Sequence, residues 1–189
     1  MSKSKLIWIP AVLVIGIALG LLIYSYFVPH VRTGRTPTAE LFNNFGRVAV
    51  FCGAASFLWL RFKYLRKSSS FFIRKLSRWV RSIHELAGYL TVAAIVVHGA
   101  YFLLFSALKP ETFIGLAAFA VLLAIGGYGI LIKQVRNVWM RSVHRMLSIA
   151  WIPLLLIHAG GALFVASFMS AAICGVVWII VKFTKSVPQ

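Results

Sequence analysis

The sequence predicts an all-α integral membrane protein, a six-helix bundle with both termini on the cytoplasmic side, and three observations predict it. Hydrophobic residues make up 61% of the 189 residues and charged residues only 12%. A soluble domain of this size could not hide that much apolar surface. The apolar residues also fall into six runs separated by basic, proline-containing or glycine-containing segments. Finally, lysine and arginine are unequally shared between alternate connecting segments, which orients the bundle.

The only acidic residues are Glu40, Glu85 and Glu111, so the net charge of +17 is set by lysine and arginine. In a membrane chain, topology and anionic lipid account for such a charge, and nucleic acid is not the expected partner. Cys52 and Cys174 lie deep inside apolar runs without metal-type spacing and read as small core residues.

The first helix is expected from Leu6 to Val28. It follows a basic start but is too long for a signal-peptide core and has no clear small-residue cleavage site, so it reads as retained, in the manner of a signal anchor. Gly16 and Gly20 within it have the spacing that lets two membrane helices approach closely. Pro29 to Glu40 reads as an outer loop carrying His30, Arg32 and Arg35. The second helix needs Leu41 to Leu60 to reach spanning length, which admits Asn43, Asn44 and Arg47 near one end. Arg47 has two readings there: it snorkels to the headgroups, or it is a counter-charge for a buried anion such as a haem propionate.

Eight basic residues between Arg61 and Arg81 come next. Ser68 to Ser70 can cap a new helix, and Phe72, Leu76, Trp79, Val80 and Ile83 recur on one face of it. The expectation is an amphipathic helix on the cytoplasmic surface that leads into a third membrane helix from His84 to Leu108. After a turn at Lys109-Pro110-Glu111, the fourth helix runs from Phe113 to Ile132. Its Gly126, Gly127 and Gly129 suggest tight packing or room for a bulky group. The fifth is expected from His144 to Phe164, kinked by Pro153, with the next reversal between Ala162 and Ser167 and the sixth helix ending near Val181. With this topology sixteen of the 20 lysines and arginines fall on the cytoplasmic side, leaving Arg32, Arg35, Arg47 and Lys109 outside.

Four of the five histidines lie on the third and fifth helices, as His84 with His98 and His144 with His158. Each pair is 14 residues apart, nearly four helical turns, so its members share a face about 21 Å apart along the axis. Both helices run from inside to outside, which matches His84 with His144 and His98 with His158 in depth. Two imidazoles at matched depth on opposed helices are what bis-histidine ligation of a haem iron requires, and here the requirement is met twice. Zinc or di-iron centres fit poorly, because the pairs are too far apart to share an ion and no carboxylates cluster with them. Gly88, Gly99, Gly160 and Gly161 lie near the histidines and would let a macrocycle approach. Trp151 sits midway between His144 and His158, either between the two porphyrin edges or as core filling, and Thr91 holds the matching place on the third helix.

The pattern His84-x13-His98 with His144-x13-His158 on alternate helices resembles the ferric reductase-like transmembrane domain family. That family spans ferric reductases, the membrane part of NADPH oxidases, and the haem membrane subunit of the periplasmic methionine sulfoxide reductase system. Gly46-Arg47, His98-Gly-Ala-Tyr101 and Val143-His144-Arg-Met-Leu are similar to the last of these. The resemblance covers about Leu41 to Val181. It divides the chain into an N-terminal helix and outer loop, residues 1–40, and a haem-binding transmembrane domain, residues 41–189, with a bis-haem core between the third and fifth helices. It implies two b haems, an inner one on His84 and His144 and an outer one on His98 and His158.

The family's flavin and nicotinamide domain is not expected after the last helix, and no Gly-rich dinucleotide signature is present. The expected role is then the membrane haem subunit of an oxidoreductase in a bacterial or archaeal cytoplasmic membrane. It would pass electrons from a separate cytoplasmic flavoprotein or quinol to an acceptor on the outer side, with quinone or flavin as the further cofactors it could engage. Two other classes remain open: a quinone-linked cytochrome b of the bc type, and a non-redox assembly or scaffold subunit in which the histidines serve packing.

Overall fold

A computed structural model of the chain describes residues 3–29, 36–68, 70–135 and 137–185. They form six α-helices: α1 (Lys3–Phe27), α2 (Pro37–Phe62), α3 (Phe71–Phe105), α4 (Pro110–Val135), α5 (Val138–Ala159) and α6 (Gly161–Lys185). A 3-10 turn, Lys63–Lys67, extends α2. All six helices contain a stretch long and apolar enough to cross a membrane. Large apolar side chains remain exposed along each of them, among them Leu13, Phe51, Leu104, Leu131, Ile157 and Phe168. Such a surface is stable against hydrocarbon and not against water.

Several helix ends differ from the expected ones, each for a local reason. α2 starts at Pro37, not Leu41. The Thr36 hydroxyl accepts the Ala39 N–H at 3.2 Å, Pro37 occupies a first-turn position that needs no donor, and Glu40 faces the positive end of the helix dipole. The boundary drawn after residue 40 therefore falls within the first turn of α2. α4 likewise begins at Pro110. α5 begins at Val138, capped by Asn137 Oδ1 accepting from the Trp139 N–H at 2.7 Å. It ends at Ala159 because Gly160 takes φ +49°, a left-handed conformation that glycine adopts without strain. The chain thus reverses directly after His158 and not at Ala162 to Ser167, and Phe164 belongs to α6. Pro153 lies inside α5 with helix on both sides.

The largest difference is in α3. The amphipathic surface helix and the membrane helix expected to follow it are one continuous helix of 35 residues. Its length of about 52 Å exceeds the roughly 30 Å of a bilayer core. Ile73, Ser77, Val80, Ala87, Thr91 and Ala94 are buried, and with His84 and His98 they form an unbroken stripe at alternating spacings of three and four. A heptad stripe of this kind needs a partner helix along its whole length. α2 and its 3-10 extension are that partner, running antiparallel in the most extensive pairing of the bundle. Ser77 donates to the Phe62 carbonyl at 3.1 Å near one end, and Tyr101 stacks on Phe42 at 4.1 Å near the other. Ser70 holds the N-cap position but makes no side-chain capping bond.

α4 packs mainly against α5 and α1, while α6 lies against α2. On α1 the buried residues are Ala11, Ala18 and Ser25, seven apart, and the two alanines join a core cluster with Ala117, Ala118 and Val121 of α4. A Cβ on Gly16 or Gly20, expected to mediate close approach, would meet nothing within 4 Å; within this chain the alanine stripe does that work. The Tyr128 hydroxyl donates to the Ile7 carbonyl and ties α1 to α4. Replacing Tyr128 with Phe is expected to lower stability by about 1 kcal/mol, the usual net value of one hydrogen bond. Unfolding in detergent by a graded denaturant measures it, and a loss above about 3 kcal/mol would mean that the hydroxyl does more than anchor α1.

Candidate functional site

The four histidines of α3 and α5 meet in two pairs. The ring centres of His84 and His144 are 6.2 Å apart, and those of His98 and His158 are 6.3 Å apart. Each pair joins residues whose numbers differ by 60, so α3 and α5 run in the same direction and the pairs lie about 21 Å apart along them. Among the described residues α3 and α5 share no extensive backbone contact. What spans the gap between them is imidazole.

The flanking helices orient these rings. His84 Nδ1 bonds the Ser56 carbonyl at 2.8 Å, and His98 Nδ1 the Phe42 carbonyl at 3.0 Å, both on α2. His144 Nδ1 bonds the Ile125 carbonyl of α4 at 2.9 Å. A carbonyl oxygen can only accept, so in each case Nδ1 carries the proton and Nε2 keeps its lone pair. A carbonyl that accepts from one ring nitrogen fixes the tautomer of an imidazole and the direction in which its other nitrogen points. His158 Nδ1 is buried and has no partner within hydrogen-bond geometry, although the Glu111 carbonyl of α4 is an electrostatic neighbour.

The two hairpins share one register. On α2 the acceptors Phe42 and Ser56 are 14 residues apart, as are Glu111 and Ile125 on α4, and each set runs antiparallel to the histidines it serves. Glycines four residues beyond three of these carbonyls make room for the rings. A Cβ on Gly46 would lie 2.9 Å from His98 Nδ1, and one on Gly115 would lie 2.8 Å from His158 Cε1. One on Gly129 would lie at an ordinary 3.5 Å from His144 Cε1.

Between the two pairs, Trp151 is buried and ties the helices together. Its Nε1 donates to the Ala118 carbonyl of α4 at 2.9 Å. A Cβ on Gly53 of α2 would meet its ring at 3.0 Å and Thr91 Cγ2 of α3 at 3.8 Å. Thr91 is buried too and returns its hydroxyl to the Ala87 carbonyl at 2.7 Å. From Trp151 a cavity of about 1210 Å³ extends to His98 and His158, bounded by Gly99 and Phe102 of α3 and by Gly115 and Phe119 of α4. A smaller cavity of about 310 Å³ adjoins it and is lined by Arg47, Glu40, Asn43, Tyr101 and Lys109. Arg47 is exposed and donates to Asn44 Oδ1 at 2.9 Å.

At the other end, Glu85 accepts from Lys133 of α4 at 3.0 Å and from Arg81 at 3.5 Å. The basic residues Lys63, Arg66, Lys67, Arg74, Lys75 and Arg78 lie toward this end of α2 and α3.

A Cβ on Gly126 or Gly127 would meet nothing within 4 Å, so Gly129 alone of that group packs on a ring. Gly88, Gly99 and Gly161 border open space, Gly99 on the large cavity, and Gly160 is a turn residue. His30, Arg32, Arg35 and Arg136 lie outside the described residues. Gly115 and the four carbonyl positions were not legible as site residues, although the 14-residue interval of the histidines is the interval at which to look for them on the neighbouring helices.

Among the described residues no three of His, Cys, Asp and Glu gather as a site for a bare metal ion. Comparison of the chain with protein-family models, with curated proteins and with solved structures returns no match.

Proposed function

We propose that this chain is a transmembrane electron-transfer protein that holds two b-type haems between α3 and α5. In this reading it passes electrons from a cytoplasmic flavoprotein or quinol to an acceptor on the outer side. The observation that carries it is the double pairing of imidazoles at 6.2 and 6.3 Å between ring centres, with Nδ1 of three rings bonded to backbone carbonyls. Two imidazoles that share one metal through Nε2, at about 2.0 Å each, have ring centres about 6 Å apart. His84 with His144 and His98 with His158 would each hold one haem iron, and a haem would need no third protein ligand. When bound, each haem would supply a one-electron iron couple, suited to electron transfer and not to substrate binding.

The protein's own part is positioning and exclusion. α2 and α4 hold His84, His98 and His144 in one tautomer through their carbonyls, and Gly46 and Gly115 let the outer rings sit close to the helix axes. Leu116, Phe119, Leu122 and Leu155 give the large cavity apolar walls against which a macrocycle would pack. Arg47 stands beside that cavity as a counter-charge for a haem carboxylate. Trp151 separates the two layers.

The test is a reduced-minus-oxidised spectrum with haem quantitation on the purified wild type and on His98→Ala. Two low-spin b haems are expected in the wild type, and only the inner one in the variant. Wild-type protein without haem after haem-replete expression would overturn the reading in favour of a scaffold. Two haems persisting in the variant would overturn the ligand assignment.

A further inference from the structure

The basic end of the bundle repeats itself. Trp79-Val-Arg81-Ser82-Ile-His84 on α3 and Trp139-Met-Arg141-Ser142-Val-His144 on α5 share their Trp, Arg, Ser and His at an offset of 60 residues. That is also the offset at which the histidines meet in space. In the 13 residues that follow His84 and His144 no position is identical, until His98 and His158. The two helices therefore agree at their histidines and in the turn and a half below the first pair, and nowhere between.

Most of this short repeat has a simple physical use. Trp79 and Trp139 are 64% and 51% exposed, about 7.5 Å beyond the histidines, as expected of interfacial aromatic residues. Ile83 is partly buried and Val143 fully buried, both within the bundle. The hydroxyl of Ser82 returns to its own helix, to the Arg78 carbonyl at 3.5 Å. The arginines are different. The charge bias between membrane faces calls for cations at this end but sets no register for them, yet each arginine stands three residues, about 4.5 Å, below its histidine. Arg81 reaches Glu85, which is held by Lys133 of α4, so Arg81 borders the cleft between α3 and α4. The large cavity of the outer pair opens between these same two helices. Arg141 has the same register on α5 and is exposed.

We propose that Arg81 and Arg141 form a two-sided carboxylate site below His84 and His144, which binds the paired carboxylates at the edge of the inner macrocycle. The proposal rests on the two-haem reading. Charged carboxylates cannot point toward the hydrocarbon centre, so they must leave the inner site at its basic end. Guanidinium groups bind carboxylates in a fixed two-pronged geometry and stay charged when half-buried, which an ammonium does less well. Lipid phosphate offers the same anionic oxygens, and the experiment separates the two sources.

Midpoint potentials of the full-length protein are measured for the wild type, R81Q/R141Q, R81K/R141K and R74Q/R78Q, the inner haem being the one that His84→Ala removes. Removing cations beside the inner site disfavours the reduced form, so R81Q/R141Q is expected to lower the inner potential and leave the outer one in place. The lysine pair should recover most of the shift. R74Q/R78Q removes equal charge from the same end without the repeated register and should leave both potentials unchanged. If R81Q/R141Q loses the inner haem while R81K/R141K and R74Q/R78Q keep it, that loss supports the site equally. An unchanged inner potential in R81Q/R141Q, with or without less co-purified anionic lipid, overturns it, as does an equal shift or haem loss in R74Q/R78Q. Absence of the inner haem from the wild type would instead overturn the underlying two-haem reading.

Discussion

If the proposed two-haem reading holds, Gly115→Ala and Gly46→Ala are each expected to strip the outer haem from a protein that remains folded. A Cβ at Gly115 would stand 2.8 Å from His158 Cε1 and 3.3 Å from its Nε2, and one at Gly46 would stand 2.9 Å from His98 Nδ1. Carbon atoms do not approach that closely, so the imidazole must move. Both ring and helix are held by neighbours: His98 by its bond to the Phe42 carbonyl, and α4 by its packing on α1 and α5. A ring displaced by a few tenths of an ångström no longer aims Nε2 at the gap, and losing a group that orients a metal-binding imidazole typically lowers metal affinity by about 10–100-fold. Alanine also gains up to about 1 kcal/mol of helix propensity over glycine, which offsets part of the steric cost. Haem per polypeptide should therefore fall toward one while thermal unfolding of the polypeptide changes little. Gly129→Ala is the internal control, since its Cβ would meet His144 at 3.5 Å, an ordinary contact, and both haems should remain. Gly115→Ala protein with two haems at wild-type affinity would show that the outer rings are not held where the structure has them.

Side-chain chemistry is visible in a sequence, and backbone chemistry is not. His84, His98, His144 and His158 announce themselves by type, by the interval of 14 residues and by parallel helices, so their mutual proximity is an inference open to a reader of the sequence alone. The six apolar runs are equally plain. Phe42, Ser56 and Ile125 act through their carbonyls, which every residue carries, and only the register of α2 against α3 and of α4 against α5 singles them out. Gly115 has the same difficulty, because one glycine among several in apolar helices is unremarked until its neighbour is known. The length of α3 is hidden for another reason. Arg74, Lys75, Arg78 and Arg81 mark a membrane surface in the charge pattern, but a helix does not stop at a surface when α2 and its extension continue to bury its stripe at Ile73, Ser77 and Val80. α2 and α4 start at Pro37 and Pro110, earlier than the expected Leu41 and Phe113, because a proline that reads as a loop or turn residue serves equally in the first turn of a helix.

Trp151→Ala is expected to cost about 3–5 kcal/mol of stability, the usual range for deleting a large aromatic side chain from a packed core. Trp151 is 4% exposed and meets two other helices, α4 through the Ala118 carbonyl and α2 at Gly53. No rearrangement of one neighbour alone can fill the space it leaves. The tight approach to Gly53 gives this prediction a sharper form. In the wild type, Gly53→Leu would drive a side chain into the indole, since even a Cβ there lies 3.0 and 3.1 Å from two ring carbons, and overpacking of this kind typically costs about 1–3 kcal/mol. In Trp151→Ala the indole is gone and the same leucine enters vacated space. Gly53→Leu should then be destabilising on the wild-type background and stabilising on the Trp151→Ala background, a reversal of sign that additive effects cannot produce. Denaturant unfolding of the four proteins in one detergent measures the cycle. A Trp151→Ala loss below about 1 kcal/mol, or the same sign for Gly53→Leu on both backgrounds, would remove Trp151 from its place as the packing centre between the two histidine layers.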